Sequence, residues 1–144
     1  MQPFPHVYTV SAAAASAGSV VVSAATLPDL ATNAPPEFDG PGGHWSPESL
    51  LCAAVADCFI LSFRAFARSS RFEWLGLACR VVGTLDRVAG VPKFSHFATH
   101  ATLTVADGAD AEKARLLLAK AEHGCLISNS LSATRELVAE VVSP

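Results

Sequence analysis

The sequence is short of charge. Only 16% of its 144 residues are Asp, Glu, Lys or Arg, while 51% are apolar, against about 25% and about 45–50% in an ordinary soluble domain. A chain of this length closes one hydrophobic core without staples. A single domain spanning 1–144 is therefore expected, with the apolar excess covered by a second copy of the chain. Positive charge is scarcest: the first Lys or Arg is Arg64, and the net charge is −3. The clustered basic residues that would neutralise phosphates are missing, which argues against nucleic acid. No C-x-x-C pair exists either, and Cys52, Cys58, Cys79 and Cys125 lack the regular spacing of a disulfide-stapled secreted domain. Residues 11–26 are rich in small apolar side chains, but no basic segment precedes them, and no run reaches the roughly 18–20 apolar residues of a membrane span. These absences point to a soluble cytoplasmic protein with free thiols, bound to neither nucleic acid nor membrane. No internal repeat of fixed period is present.

What remains is a legible order of elements. Residues 6–14 and 19–25 are β-rich and separated by Ala-Gly-Ser, which predicts an opening hairpin. Residues 33–45 are so rich in Pro and Gly that they form a long loop. Ser46 offers an N-cap oxygen, Pro47 suits the first helical position, and Glu48 complements the helix dipole. The helix that follows is apolar on most faces, so it is predicted to be central and buried. Arg64, Arg68 and Arg71 form a solvated stripe near its end. Residues 75–88 and 93–105 read as a second hairpin, turning through Ala-Gly-Val-Pro. Asp110 caps a helix that runs through His123 and stops at Gly124, placing Cys125 at a helix break. A short helical segment at 128–132 and a strand at 136–142 close the chain. The plan is an α+β fold, ββ-loop-α-ββ-α-β, with the central helix packed on antiparallel sheet.

The Pro/Gly loop, the run Trp45-Ser46-Pro47-Glu48-Ser49-Leu50-Leu51, the Cys58 helix and Cys125-Leu126-Ile127-Ser128-Asn129-Ser130 together resemble the OsmC/Ohr family of thiol-dependent peroxidases. The resemblance spans nearly all of the chain from Pro35 onward. It implies an intertwined homodimer with active sites at the subunit interface, and reduction of organic hydroperoxides through a reactive and a resolving cysteine. Carried over by position, Cys58 is the peroxidatic cysteine, Cys125 the resolving one, and Glu48 the acidic member of the site. The resemblance also implies an external dithiol reductant, lipoyl-type or thioredoxin-like, and no bound cofactor. It departs at one point. The family's enzymes use an N-terminal arginine to stabilise the thiolate, and here no basic side chain precedes Arg64, leaving His44 or the Arg64/Arg68 stripe as substitutes.

The chemistry sets conditions on this reading. A thiol of pKa about 8.5 is only about 3% thiolate at pH 7, whereas a pKa of about 6 gives about 90%. Burial in an apolar helix raises that value, so a donor or cation must stand near Cys58, and Asp57 must point away into water. Glu48 and Cys58 are about 15 Å apart on one continuous helix. Either the helix breaks between them, or Glu48 of a second copy reaches Cys58. Phe38, His44, Leu51, Val55 and Phe59 are expected to line the substrate site and to favour an alkyl or lipid hydroperoxide. Cys52 and Cys79 read as structural. His96 and His100 share a strand face without a third ligand, so a solvated sheet face is expected rather than a metal site. The rival readings are a non-catalytic dimer that binds an apolar small molecule and a thiol redox sensor.

Overall fold

The computed structural model describes residues 1–144, which fold as two compact units, Met1–Leu50 and Leu51–Pro144. In the first unit, β1 (Ser11–Ala13) pairs antiparallel with β2 (Val20–Ser23), as the opening hairpin predicts but with shorter strands. A third strand, β3 (Leu30–Thr32), adds to the other edge of β2 and was not anticipated: it has only three residues, between Pro28-Asp29 and Asn33. The Pro/Gly loop holds one 3-10 turn, Pro36–Phe38. Its ends are tied by the Asn33 amide, which donates to the Trp45 carbonyl at 3.0 Å. Gly40 folds back on Ala34, whose carbonyl leaves no room for a Cβ.

Helix α1 (Pro47–Ser69) begins where Ser46 and Pro47 place it. Ser46 Oγ accepts from the Ser49 amide at 3.1 Å, and Ser49 Oγ accepts from the Ser46 amide at 2.8 Å, a reciprocal cap. By length and composition α1 could cross a membrane. Its stripe of Val55, Phe59, Phe63 and Ala67 is instead fully buried, and Phe59, Phe63 and Ala67 join the core of the second unit. The remaining faces are less covered than the apolar pattern predicts: Ala54 and Cys58 are half-buried and Leu61 is exposed.

The second unit is built on one sheet. β4 (Gly76–Val88) and β5 (Val91–Thr104) form a long antiparallel hairpin. Its turn is only Ala89-Gly90, both at positive φ (51° and 81°), and the strands resume at Val91. α2 (Ala111–Gly124) is capped by Asp110, whose Oδ1 accepts from the Lys113 amide at 3.0 Å. It lays Ala114, Leu117, Leu118 and Ala121 into the core with Ala101 and Leu103 of β5. α3 (Leu126–Asn129) starts two residues earlier than expected, immediately after Cys125. β6 (Thr134–Val142) then runs parallel to β5, correcting the all-antiparallel expectation. The α2–α3 segment supplies the crossover that a parallel pair requires. A register shift between Thr84 and Leu85 leaves Ser95 outside the pairing. Phe94 and Phe97, separated by this bulge, stack with centroids 5.0 Å apart.

Candidate active site

The helix break at Cys125 and one face of α1 bring two thiols together within the second unit. Cys125 closes α2, its amide donating to the Glu122 carbonyl at 3.3 Å, and it precedes α3. Its side chain is 1% exposed. Ser128, one turn on and itself buried, donates its hydroxyl to Cys125 Sγ at 3.3 Å. Burial pushes the Cys125 thiol up; the Ser128 bonds pull it down, and the neighbouring Cys58 thiol pushes it up again. Cys58, half-buried, has Ser62 Oγ at 4.0 Å as its polar neighbour. All four cysteines are free.

Cys58 lines a cavity of about 460 Å³ with Ala54, Leu61, Ala65, Leu126 and Ile127 as its apolar walls and Asp57 and Ser62 on its edge. Asp57 is exposed but lines the same cavity as Cys58, so it is not turned away from the thiol as the chemistry asks. Val55 and Phe59, expected to line the substrate site, are 2% and 1% exposed and belong to the core. Leu51 is not part of the cavity wall. The correction follows from helical geometry. Positions 54, 61, 62 and 65 lie within about 60° of Cys58 around the helix, whereas 59 is turned by about 100° and 55 by about 60° on the side opposite Leu61, toward the core. Spacing alone sets Phe59 apart; for Val55 it is the direction of the core that decides.

Other expected residues lie in the first unit. α1 is unbroken from Pro47 to Ser69, which removes the option of a helix break between Glu48 and Cys58. Glu48 Oε2 is buried with no hydrogen-bond partner. It lines a separate cavity of about 520 Å³ together with Val20, Val22, Thr32, Phe38 and Leu50. His44 is exposed, and its Nδ1 is bound within its own loop, 3.0 Å from the Gly42 carbonyl. Arg64, Arg68 and Arg71 are exposed, as a solvated stripe requires.

One residue with a bearing on the site escaped the sequence reading. Arg135 of β6 donates from Nε to Glu122 Oε1 at 2.6 Å, from Nη2 to the Glu122 carbonyl at 2.6 Å and from Nη1 to Asn129 Oδ1 at 2.7 Å. The fork spans the end of α2 and the end of α3, on either side of Cys125. Hydrogen bonding to Glu122, with a smaller contribution from the charge of Cys125, raises the Arg135 pKa. Nothing local marks Arg135, because both of its partners come from other elements. Of the two thiols read as structural, burial pushes Cys52 up, and Cys79 rises to about 11 through burial and then the Cys125 charge.

Comparison with known proteins agrees with this architecture. Residues 40–138 match the family model described as OsmC-like protein. YmaD, an uncharacterized protein of Bacillus subtilis (strain 168), is 29% identical over 109 residues, 74% of this chain and 73% of that protein. The crystal structure of an organic hydroperoxide resistance protein OsmC from Legionella pneumophila is similar with a TM-score of 0.75 at 24% identity, covering 96% of this chain and 98% of that one. An organic hydroperoxide resistance protein from Elizabethkingia anophelis, with thiocyanate bound, gives a TM-score of 0.76 at 19% identity, covering 98% and 100%. At these identities the two structures establish the fold alone.

Proposed function

Because the chain belongs to the OsmC-like family, we propose that it is a thiol-dependent peroxidase that reduces organic hydroperoxides. The observation that carries this reading is the meeting of Cys58 and Cys125, distant in sequence, beside an apolar cavity open to solvent. Cys58 as thiolate attacks the terminal oxygen of the hydroperoxide. The O–O bond breaks, the alkoxide takes a proton and leaves as an alcohol, and Cys58 becomes a sulfenic acid. The Cys125 sulfur then displaces water from that sulfenic acid to form a disulfide. An external dithiol, lipoyl-type or thioredoxin-like, returns both thiols by exchange and leaves as its own disulfide.

The wall of Ala54, Leu61, Ala65, Leu126 and Ile127 favours an alkyl or aryl hydroperoxide over hydrogen peroxide, which has no apolar body to bury. Two copies pair in this reading, covering the apolar face of α1, and Glu48 of the second copy serves as the acidic member of the site. The test mixes the reduced protein with cumene hydroperoxide and a dithiol, following peroxide consumption and the Cys58–Cys125 disulfide by mass spectrometry. Turnover lost in Cys58→Ser and faster with cumene hydroperoxide than with hydrogen peroxide is expected. Oxidation without turnover would replace the enzyme by a sensor, and no oxidation at all by a binding protein.

A further inference from the structure

Arg135 holds both backbone polar groups of Cys125 through shared partners. The Glu122 carbonyl accepts from the Cys125 amide at 3.3 Å and from Arg135 Nη2 at 2.6 Å. The Asn129 amide donates to the Cys125 carbonyl at 2.9 Å, while Asn129 Oδ1 accepts from Arg135 Nη1 at 2.7 Å. Asn129 Nδ2 closes the ring by donating to the His123 carbonyl at 3.1 Å, and Arg135 Nε secures the fork on Glu122 Oε1. The amide and the carbonyl of Cys125 are thus each one hydrogen bond from a group that the guanidinium grips. α3 is a single turn of four residues, too short to be stable by itself, so the fork is what fixes it. Leu126 and Ile127, the first residues of that turn, stand in the wall of the cavity that Cys58 lines. Cys58 has little freedom to adjust, because it lies midway along α1 between Val55 and Phe59, both buried in the core. The place of the break therefore decides how the Cys125 sulfur stands toward Cys58.

We infer that Arg135 is a positioning residue for the resolving step: by fixing the backbone on either side of Cys125, it holds that sulfur within reach of an oxidised Cys58. The inference rests on the proposed pairing of the two thiols, not on which oxidant reaches Cys58. In the peroxide cycle the Cys125 sulfur bonds to the Cys58 sulfur, the S–O bond of the sulfenic acid breaks, and the hydroxyl leaves as water with the Cys125 proton. Groups held in register react as though at very high local concentration, and a misplacement of about 1 Å costs about 100-fold. Without the fork Cys58 still meets its oxidant, because α1 alone places it, but the oxidised sulfur waits for Cys125.

The test uses an aromatic disulfide, dithiobis-nitrobenzoate, as an oxidant free of peroxide, on the full chain carrying Cys52→Ala and Cys79→Val. Cys58 thiolate attacks it and releases one thionitrobenzoate. Cys125 then attacks the Cys58 sulfur of the mixed disulfide, giving its proton to solvent, and the second thionitrobenzoate leaves with the electron pair of the broken S–S bond. Absorbance times the two releases, and mass spectrometry locates the Cys58–Cys125 disulfide. In Arg135→Ala the first release is expected within about twofold of the parent and the second slower by about 10- to 100-fold. Asn129→Ala, which removes one tine of the fork, should fall between the two, and Arg135→Lys should recover little of the second release. Val141→Ala, which thins the core packing of β6 without touching the fork, should leave both releases at the parent rate. Circular dichroism checks that each variant is folded. A second release at the parent rate in Arg135→Ala, equal slowing of both releases, the same slowing in Val141→Ala, or a parent that stops after one release overturns the inference. Failure of the peroxidase reading shows separately, as cumene hydroperoxide that leaves Cys58 unoxidised while the second release still depends on Arg135.

Discussion

Gly83 on β4 shows how a single hydrogen atom can be a packing requirement. A Cβ built there would lie 2.7 Å from Cys52 Sγ, 2.8 Å from a Phe94 ring carbon and 3.0 Å from one of Phe97. The two rings are stacked on each other, so neither can retreat freely. Gly83→Ala should cost about 1–3 kcal/mol, the usual range for overpacking. It would be read as a lower urea midpoint at unchanged m-value. Adding Cys52→Ala should recover part of the loss, and an unchanged midpoint in the single variant would show that the sulfur and the rings give way. Cys79 makes a second residue-scale prediction, in pH. Burial and then the Cys125 charge lift its thiol from 9.0 to about 11, so the folded chain holds that proton more tightly than the unfolded one. The stability this provides is fully present below about pH 9 and is lost as pH rises toward about 11. Denaturation midpoints measured between pH 8 and 10.5 should fall less steeply in Cys79→Val than in the parent, and parallel slopes would remove Cys79 from the account.

At the scale of elements, the fork from Arg135 joins β6 to the ends of α2 and α3 and thereby fixes the break that carries Cys125. Arg135→Ala leaves the partly buried Glu122 carboxylate and carbonyl without these donors, and a loss of about 2–3 kcal/mol is expected from charge-assisted bonds of this kind. Arg135→Lys retains the charge, but its donors sit on one nitrogen that cannot reach the acceptors met by three separate nitrogens of the fork, so it should recover less than half of the loss in urea denaturation. Full recovery by Lys would mean that charge alone matters. This clamp also marks where sequence reading ends. Ser46, Pro47, Asp110 and Gly124 placed the ends of α1 and α2 because caps act within a few residues. The Cys125 break was legible for the same reason. β3 carries three residues, too few for periodicity to register, and the parallel course of β6 depends on a crossover that no local pattern encodes. For the candidate site, the two thiols came from motifs, whereas Glu48, singled out by the same motif, lines a separate cavity. The wall residues Leu61 and Ala65 were recoverable from helical spacing, whereas Val55 and Phe59 were misread because apolar character alone does not distinguish an inward face from an outward one.

At the scale of the whole molecule, the open question for a 51% apolar chain is what covers its apolar surface. Along α1, Val55, Phe59, Phe63 and Ala67 face the core, but Leu61 is 50% exposed, and Leu126 beside the same cavity is 67% exposed. Such a patch is characteristic of an interface, and stable pairs bury about 800 Å² per partner. If the proposed dimer closes over this patch, Leu61→Glu and Leu126→Glu each place a charge where apolar contact is required. Sedimentation velocity at micromolar concentration should then show a dimer for the parent chain and monomer for the double variant, with far-ultraviolet circular dichroism unchanged. Peroxide reduction should fall in step with the dimer fraction if, as proposed, the second copy supplies Glu48 and excludes water from the Cys58 cavity. A monomer that still consumes cumene hydroperoxide at the parent rate would show that each chain works alone and that the exposed leucines serve another purpose.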